Sequence, residues 1–346
     1  MVSIKDISQE LGLAVSTVSM ALNNNPRISE KTRKLVQDKA RELKYVKNGL
    51  AVDLQKKKTN LILLILYDAS RAFFAETIRQ LQSSIDEAGY DFIISTTYGG
   101  HSDTAEKFIK ERRSDAVIVY TKTIDDSLLG ECASADFPIF VVGHKAQTDN
   151  PHVQSFLYTE EVKPLATCEY MIAKGHRRLG FVTGFAESYG TIRSMNGFLL
   201  SMKNHGLPVD KSLIFDAKGS QSPDGYRVCE EQIINRLDDM DGIIFSNDDI
   251  AIGAMQCFND HNIPIPEKVS VIGMHNVPGS AATNPPLTTQ MAINDKETYY
   301  HSLVTYLVSC IEGKPDRMIQ KSLSHYNPQS VIVERQTVRD LTITEN

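Results

Sequence analysis

From residue 60 onward, short unbroken apolar runs alternate with amphipathic stretches, and few folds tolerate that pattern. The runs at 61–67, 92–95, 116–120, 139–142, 179–183, 242–246 and 269–274 lack polar alternation, as strands covered on both faces require. Between them, 73–88, 102–112, 160–173, 191–205, 222–237 and 248–262 carry apolar residues at helical spacing. Alternation of this kind predicts doubly wound parallel sheets with helices on both faces. There are too many elements for one ordinary sheet, so two stacked α/β subdomains are expected.

The first 46 residues obey a different rule. Ile4, Ile7 and Leu11 recur at helical spacing and Gly12 stops the first helix. Val15, Val18, Ala21 and Leu22 give a second apolar face, ended by Asn23-Asn24-Asn25-Pro26, and Ser29 opens a third helix that runs to about Tyr45. Two helices across a tight turn, braced by a third, make an all-α helix-turn-helix head. Residues 47–60 form the linker; at about two turns, a helix there is marginal unless docked.

Charge separates the same two parts. The chain carries a formal net charge of −6, which alone argues against a polyanionic partner. Residues 1–58, however, hold 12 Lys/Arg against 6 Asp/Glu, a formal +6, while the remaining 25 basic and 37 acidic residues make the body −12. A basic head on an acidic body directs a polyanion to the head. The five cysteines, Cys132, Cys168, Cys229, Cys257 and Cys310, have no metal-ligand spacing, so free thiols, no metal and a cytoplasmic location are expected. The N-terminus lacks a signal-peptide pattern and no apolar run is long enough for a membrane span.

Several ordered fragments carry a family resemblance. In the head these are Ile4-Lys5-Asp6-Ile7, Val15-Ser16-Thr17-Val18-Ser19 with Ala21-Leu22-Asn23, and Ile28-Ser29-Glu30-Lys31-Thr32-Arg33. In the body they are Phe73-Phe74-Ala75-Glu76, Gly175-His176-Arg177-Arg178-Leu179, Asn247-Asp248, Val269-Ser270-Val271-Ile272-Gly273 and Pro285-Pro286-Leu287-Thr288-Thr289. Together they resemble the lactose-repressor/galactose-repressor family of bacterial transcriptional regulators over nearly the whole chain.

The resemblance implies a homodimer on a pseudo-palindromic double-stranded DNA operator. It puts Val15 and Ser16 at base edges, Thr17, Ser19, Asn23, Thr32 and Tyr45 at phosphates, and Leu54 as a wedge between base pairs. Met20 stands where the family usually has arginine, which removes a bidentate guanine contact and shifts operator preference. Lys47 replaces a usual proline, and Val52-Asp53 a commoner Arg-Ser pair, which predicts weaker hinge affinity.

For the body, the resemblance implies the periplasmic-binding-protein type of fold. The first subdomain comprises about 61–159 and 292–321, the second about 160–291 and 322–337, with a tail over 338–346. The chain is expected to cross between them near 157–161, 290–293 and 320–323. A small effector, most readily a sugar, is expected between them, held by Tyr67, Asp68, Phe73, Phe74, Tyr189, Arg193, Asn247 and His275. Phe73 and Phe74 are equally suited to a helix core. Ser194 stands where the family has arginine and His275 where it has aspartate, so control by a protein coregulator stays open as the alternative.

Adjacent carboxylates at Asp125-Asp126, Asp238-Asp239 and Asp248-Asp249 lack a nearby His or Cys at catalytic spacing, and no phosphate-binding, nucleophile-elbow or zinc-protease motif occurs. Neither an enzyme nor a cofactor is expected. An exported sugar-binding protein would share the body but not the basic head.

Overall fold

The computed structural model describes residues 2–46, 58–157, 165–185, 189–293, 296–324, 326 and 329–343, in two compact units, Met1–Thr59 and Asn60–Asn346. The first unit contains α1 (Ile4–Leu11), α2 (Val15–Leu22) and α3 (Glu30–Glu42). Ser3 and Asp6 cap α1 reciprocally, and Gly12 ends it at φ 62°, a left-handed conformation that costs glycine little. Ile7, Val18, Ala21, Val36 and Ala40 form a small core of their own. The Arg33 guanidinium donates to the carbonyls of Asn25 (3.2 Å) and Ile28 (3.3 Å), which fixes the turn after α2 to α3. The expected hinge helix, Leu54 included, lies almost wholly outside the described residues.

The second unit begins with β1 (Leu61–Leu66), α4 (Ala72–Glu87), β2 (Asp91–Thr96), α5 (Asp103–Lys110), β3 (Ala116–Val119), α6 (Asp126–Cys132), β4 (Ile139–Val142) and β5 (Val153–Phe156). These strands make a five-stranded parallel sheet in the order β2-β1-β3-β4-β5. Strand β1 shows why its sequence is apolar throughout. Ile62, Leu64 and Leu66 enter the core on one face, Leu63 and Ile65 the core on the other, and all five are fully buried. At about 1.5–3 kcal/mol per buried side chain, this strand alone supplies a sizeable share of the hydrophobic drive.

The chain continues through α7 (Ala166–Ala173), β6 (Leu179–Thr183), α8 (Tyr189–Asn204), β7 (Ile214–Asp216), α9 (Ser222–Val228), β8 (Gly242–Phe245), α10 (Asp248–Asp260), β9 (Ser270–Met274) and β10 (Thr288–Ile293). It then returns through α11 (Lys296–Ile311) and α12 (Arg317–Ser324) to the first sheet, whose core takes in Tyr300, Leu303, Leu307 and Leu323. Finally β11 (Gln329–Val333) joins the second sheet antiparallel to β10, giving the order β11-β10-β9-β8-β6-β7. Both sheets therefore reverse strand order once, between β1 and β3 and between β6 and β8.

Two sequence-based boundaries move. The third crossing does not fall at 320–323: α12 runs through Ser324, because Leu323 is 2% exposed in the core of the first subdomain. The segment expected as a tail from 338 is tied to the second subdomain as far as Leu341. The Arg339 amide donates to Ser270 Oγ (3.0 Å), and that of Leu341 to the Lys174 carbonyl (2.7 Å).

Candidate functional site

On the first unit, Val18 and Ala21 anchor α2 in the core and turn the opposite face outward. Val15 is 45% exposed, Ser16 and Asn23 are exposed, and Thr17, Ser19 and Met20 are half-buried at the edge of that face. Ala14 gives α2 no side-chain cap, so its first-turn N–H groups stay open for an oxygen acceptor beside the Ser16 and Thr17 hydroxyls. The start of α3 differs. There Ser29 caps the Thr32 amide (3.2 Å) and its hydroxyl lies 2.8 Å from that of Thr32. The Asn23 side chain donates to the Ser19 carbonyl (3.0 Å), and Tyr45 packs half-buried against the head core.

In the second unit, a cleft of about 550 Å³ opens at the carboxyl ends of strands from both sheets. Tyr67 and Arg71 follow β1, Tyr120 to Thr123 follow β3, and Gly143 and His144 follow β4. From the other side come Gly184 and Phe185 after β6, Ser246 and Asn247 after β8, and His275 after β9. Phe74 from α4, Val142 at the end of β4, Gly190, Thr191 and Ser194 from α8, and Ser220 complete the described lining. The volume suits a small metabolite.

Among the described residues, two contacts span the cleft. Gln221 Nε2 donates to Asp68 Oδ2 at 3.0 Å, and the Tyr67 and Phe185 rings meet edge-to-face at 5.8 Å. Asp68 Oδ1 also accepts from the Ser70 amide (2.9 Å) and hydroxyl (2.7 Å). On the first-subdomain wall, Thr123 Oγ1 lies 2.8 Å from Thr121 Oγ1 and donates to Thr97 Oγ1 at 2.6 Å. Burial holds the His144 imidazole below its ordinary range, with Lys122 adding to the effect and Asp126 opposing it.

Of the effector residues expected from the sequence, Tyr67, Phe74, Asn247 and His275 line the cleft. Asn247 is partly occupied, because its Oδ1 caps α10 by accepting from the Ile250 amide (2.8 Å). Asp68 and Arg193 are not in the lining. Asp68 is turned into the latch with Gln221, and the helical rotation that aims Thr191 and Ser194 at the cleft turns Arg193 away. The side chains of Phe73 and Tyr189 lie outside the described set.

Sequence reasoning missed Arg71, Tyr120, Lys122, His144, Phe185 and Ser220. Most stand at the end of an apolar run or in the loop after it, and that position was the available signal; Ser220 follows the short strand β7, which no apolar run marks.

Behind His275 the loop is densely hydrogen-bonded. His275 and Asn276 hold φ of 95° and 50°, and the His275 amide donates to the Gln290 carbonyl at 2.7 Å. Buried Asp248 accepts from the Val277 amide (2.8 Å) and the Thr289 hydroxyl (2.5 Å), while Arg335 donates to Asn276 Oδ1 (2.7 Å). Burial pushes the Asp248 carboxyl up to about 7, although both hydrogen bonds and Arg335 pull the other way.

Residues 3–48 match the family described as bacterial regulatory proteins, lacI family, and residues 168–337 match the periplasmic binding protein-like domain. The chain is 29% identical over 296 residues to the HTH-type transcriptional regulator DegA of Bacillus subtilis (strain 168), covering 83% of this chain and 85% of that protein. It is 25% identical over 346 residues to the HTH-type transcriptional repressor PurR of Vibrio atlanticus (strain LGP32), covering 99% of this chain and 100% of that one.

Among solved structures, the lac repressor dimer bound to operator and the anti-inducer ONPF aligns with a TM-score of 0.77 at 20% identity, covering 98% of this chain and 99% of that one. The transcriptional regulator CelR in complex with cellobiose aligns with a TM-score of 0.68 at 18% identity, covering 97% and 100%. At such identities the solved structures speak to the fold. The head and body matches, in this order and over this length, make the chain a member of the lacI family of bacterial regulatory proteins and a DNA-binding transcriptional regulator.

Proposed function

We propose that this protein is a cytoplasmic, homodimeric repressor whose affinity for a pseudo-palindromic operator is set by a small polar metabolite, most readily a sugar or sugar derivative, in the cleft of the body. One observation carries the reading: a metabolite-sized cavity lined from both sheets, with contacts already spanning it between Asp68 and Gln221 and between Tyr67 and Phe185. A ligand that touches both walls favours one relative arrangement of the subdomains, and only that difference in affinity can shift the operator-bound population.

In the head, the exposed face of α2 is the proposed reader, with Val15, Ser16 and Met20 facing base edges. Thr17, Ser19, Asn23, Thr32 and Tyr45 are proposed to position the phosphates, and Leu54 to wedge the minor groove.

The test is operator binding by fluorescence anisotropy, with and without candidate metabolites, on the intact chain and on a chain lacking residues 1–58. Removal of the head is expected to abolish operator binding while sedimentation still reports a dimeric body. A truncated body that binds operator as tightly as the intact chain would overturn the assignment of the head. Metabolites that occupy the cleft without altering operator affinity would favour a protein coregulator.

A further inference from the structure

The cleft has an unbalanced set of charges. Arg71 and Lys122 are fixed cations in its lining, His144 and His275 add imidazoles, and among the described residues no carboxylate lines it. The guanidinium and ammonium groups can only donate hydrogen bonds, so every ligand atom they meet must be an acceptor. Arg71 Nε is buried and has no hydrogen-bond partner, its guanidinium carbon lies 5.8 Å from the centre of the Phe74 ring, and burial pushes the group down from its ordinary range.

Two carboxylates are close enough to act on Arg71 electrostatically, Asp249 and Asp68, and neither neutralises it by contact. Asp68 is engaged by Ser70 and Gln221, and burial pushes Asp249 upward, which disfavours its charge even though Arg71 opposes that. A helix terminus points the same way. Helix α4 starts at the cleft with Arg71 as an N-cap that makes no side-chain cap bond. An open helix N-terminus favours negative charge, and here it adds to a cavity that already holds two cations.

Resting on the reading of this cleft as the effector site, we propose that its ligand is a small polyhydroxylated anion, a sugar acid or a sugar phosphate. Arg71 and Lys122 meet its charge, the Thr121, Thr123, Thr191 and Ser194 hydroxyls meet its hydroxyls, and the Tyr67 and Phe185 rings meet its apolar face. A neutral hexose leaves the buried Arg71 guanidinium without a partner, whereas an anion gives it one at the moment of binding and draws in the exposed Lys122 as well.

The experiment is titration calorimetry on the full chain with D-galacturonate, D-gluconate and D-glucose 6-phosphate, set against D-galactose, D-glucose and inorganic phosphate. At least one acid or phosphate ester is expected to bind about ten- to a hundredfold tighter than its neutral parent, as a charge-assisted contact implies. The acids and the ester distinguish carboxylate from phosphate recognition.

Lys122→Met, at an exposed position, is expected to weaken that anion about tenfold with an unchanged melting temperature, and Arg71→Met to weaken it at least as much. Equal affinity for an acid and its neutral parent overturns the inference while leaving the cleft as the effector site, and no binding by any of the six overturns it too. Binding of the anion with unchanged operator affinity supports the anion site and removes its regulatory role.

Discussion

Among single residues, Asp248 has the most distinctive chemistry. It is fully buried, ties the Val277 amide to the Thr289 hydroxyl, and its carboxyl is raised to about 7 from an ordinary 3.8. Between those two values the folded state keeps a proton that the unfolded chain has released. Stability contributed by this group is therefore fully present below about pH 4 and is lost as pH rises through about 7.

Asp248→Asn cannot ionise, its amide oxygen can still accept from Val277, and its NH2 can donate to Thr289. The decline in urea midpoint between about pH 5 and 8 is expected to be smaller in the variant than in the parent, and equal slopes would count against a titrating Asp248. The sequence showed Asp248 only as a neighbour of Asp249 and Asn247. Its burial depends on Thr289, 41 residues away in the chain, and local spacing holds no information about that.

The helices α9 and α10 show what one element demands of another. A Cβ on Gly253 would lie 1.8 Å from the Ser222 carbonyl oxygen, and one on Gly225 would lie 2.0 Å from that of Ile250, so the two backbones pack at a distance only glycine permits. Alanine is the better helix former by about 1 kcal/mol, but forced overpacking costs about 1–3 kcal/mol or more, and at such a separation the steric cost wins. Gly253→Ala is expected to lower the urea midpoint by the equivalent of at least about 2 kcal/mol. Gly190→Ala in α8, where an added Cβ meets nothing within 4 Å, should hold or raise it.

The central strands β1, β3, β4, β6, β8 and β9 were legible because burial on both faces leaves continuous apolar runs. Strands β5, β7, β10 and β11 were not. They sit at or near sheet edges, where Gln154, Asp216, Thr289 and Ser330 interrupt the run. The head was legible because Gly12 and Ser29 are local signals, although α3 ends at Glu42, short of the expected Tyr45, and the cap at Ser3 went unread.

At the scale of the whole molecule, charge asymmetry and element order pointed to a DNA-binding head on a two-sheet body, and the family matches bear that out. The cleft was legible only as a position at strand ends. Which loop residues turn into it depends on the packing of both sheets, so the Arg71 and Lys122 pair emerged only in three dimensions.

The laced segment after β11 has a further consequence for genetics. Arg335 holds Asn276, Ser280 and the Leu287 carbonyl, and fully buried Thr337 joins the Val271 carbonyl to the Thr288 amide. A stop codon at position 335 spares every described helix and strand yet strips the loop after β9 of its fasteners. Such a late nonsense allele is expected to behave as a null, with the truncated product recovered in inclusion bodies. A nonsense codon at 344, which keeps all of these contacts, should pass unnoticed in a reporter strain.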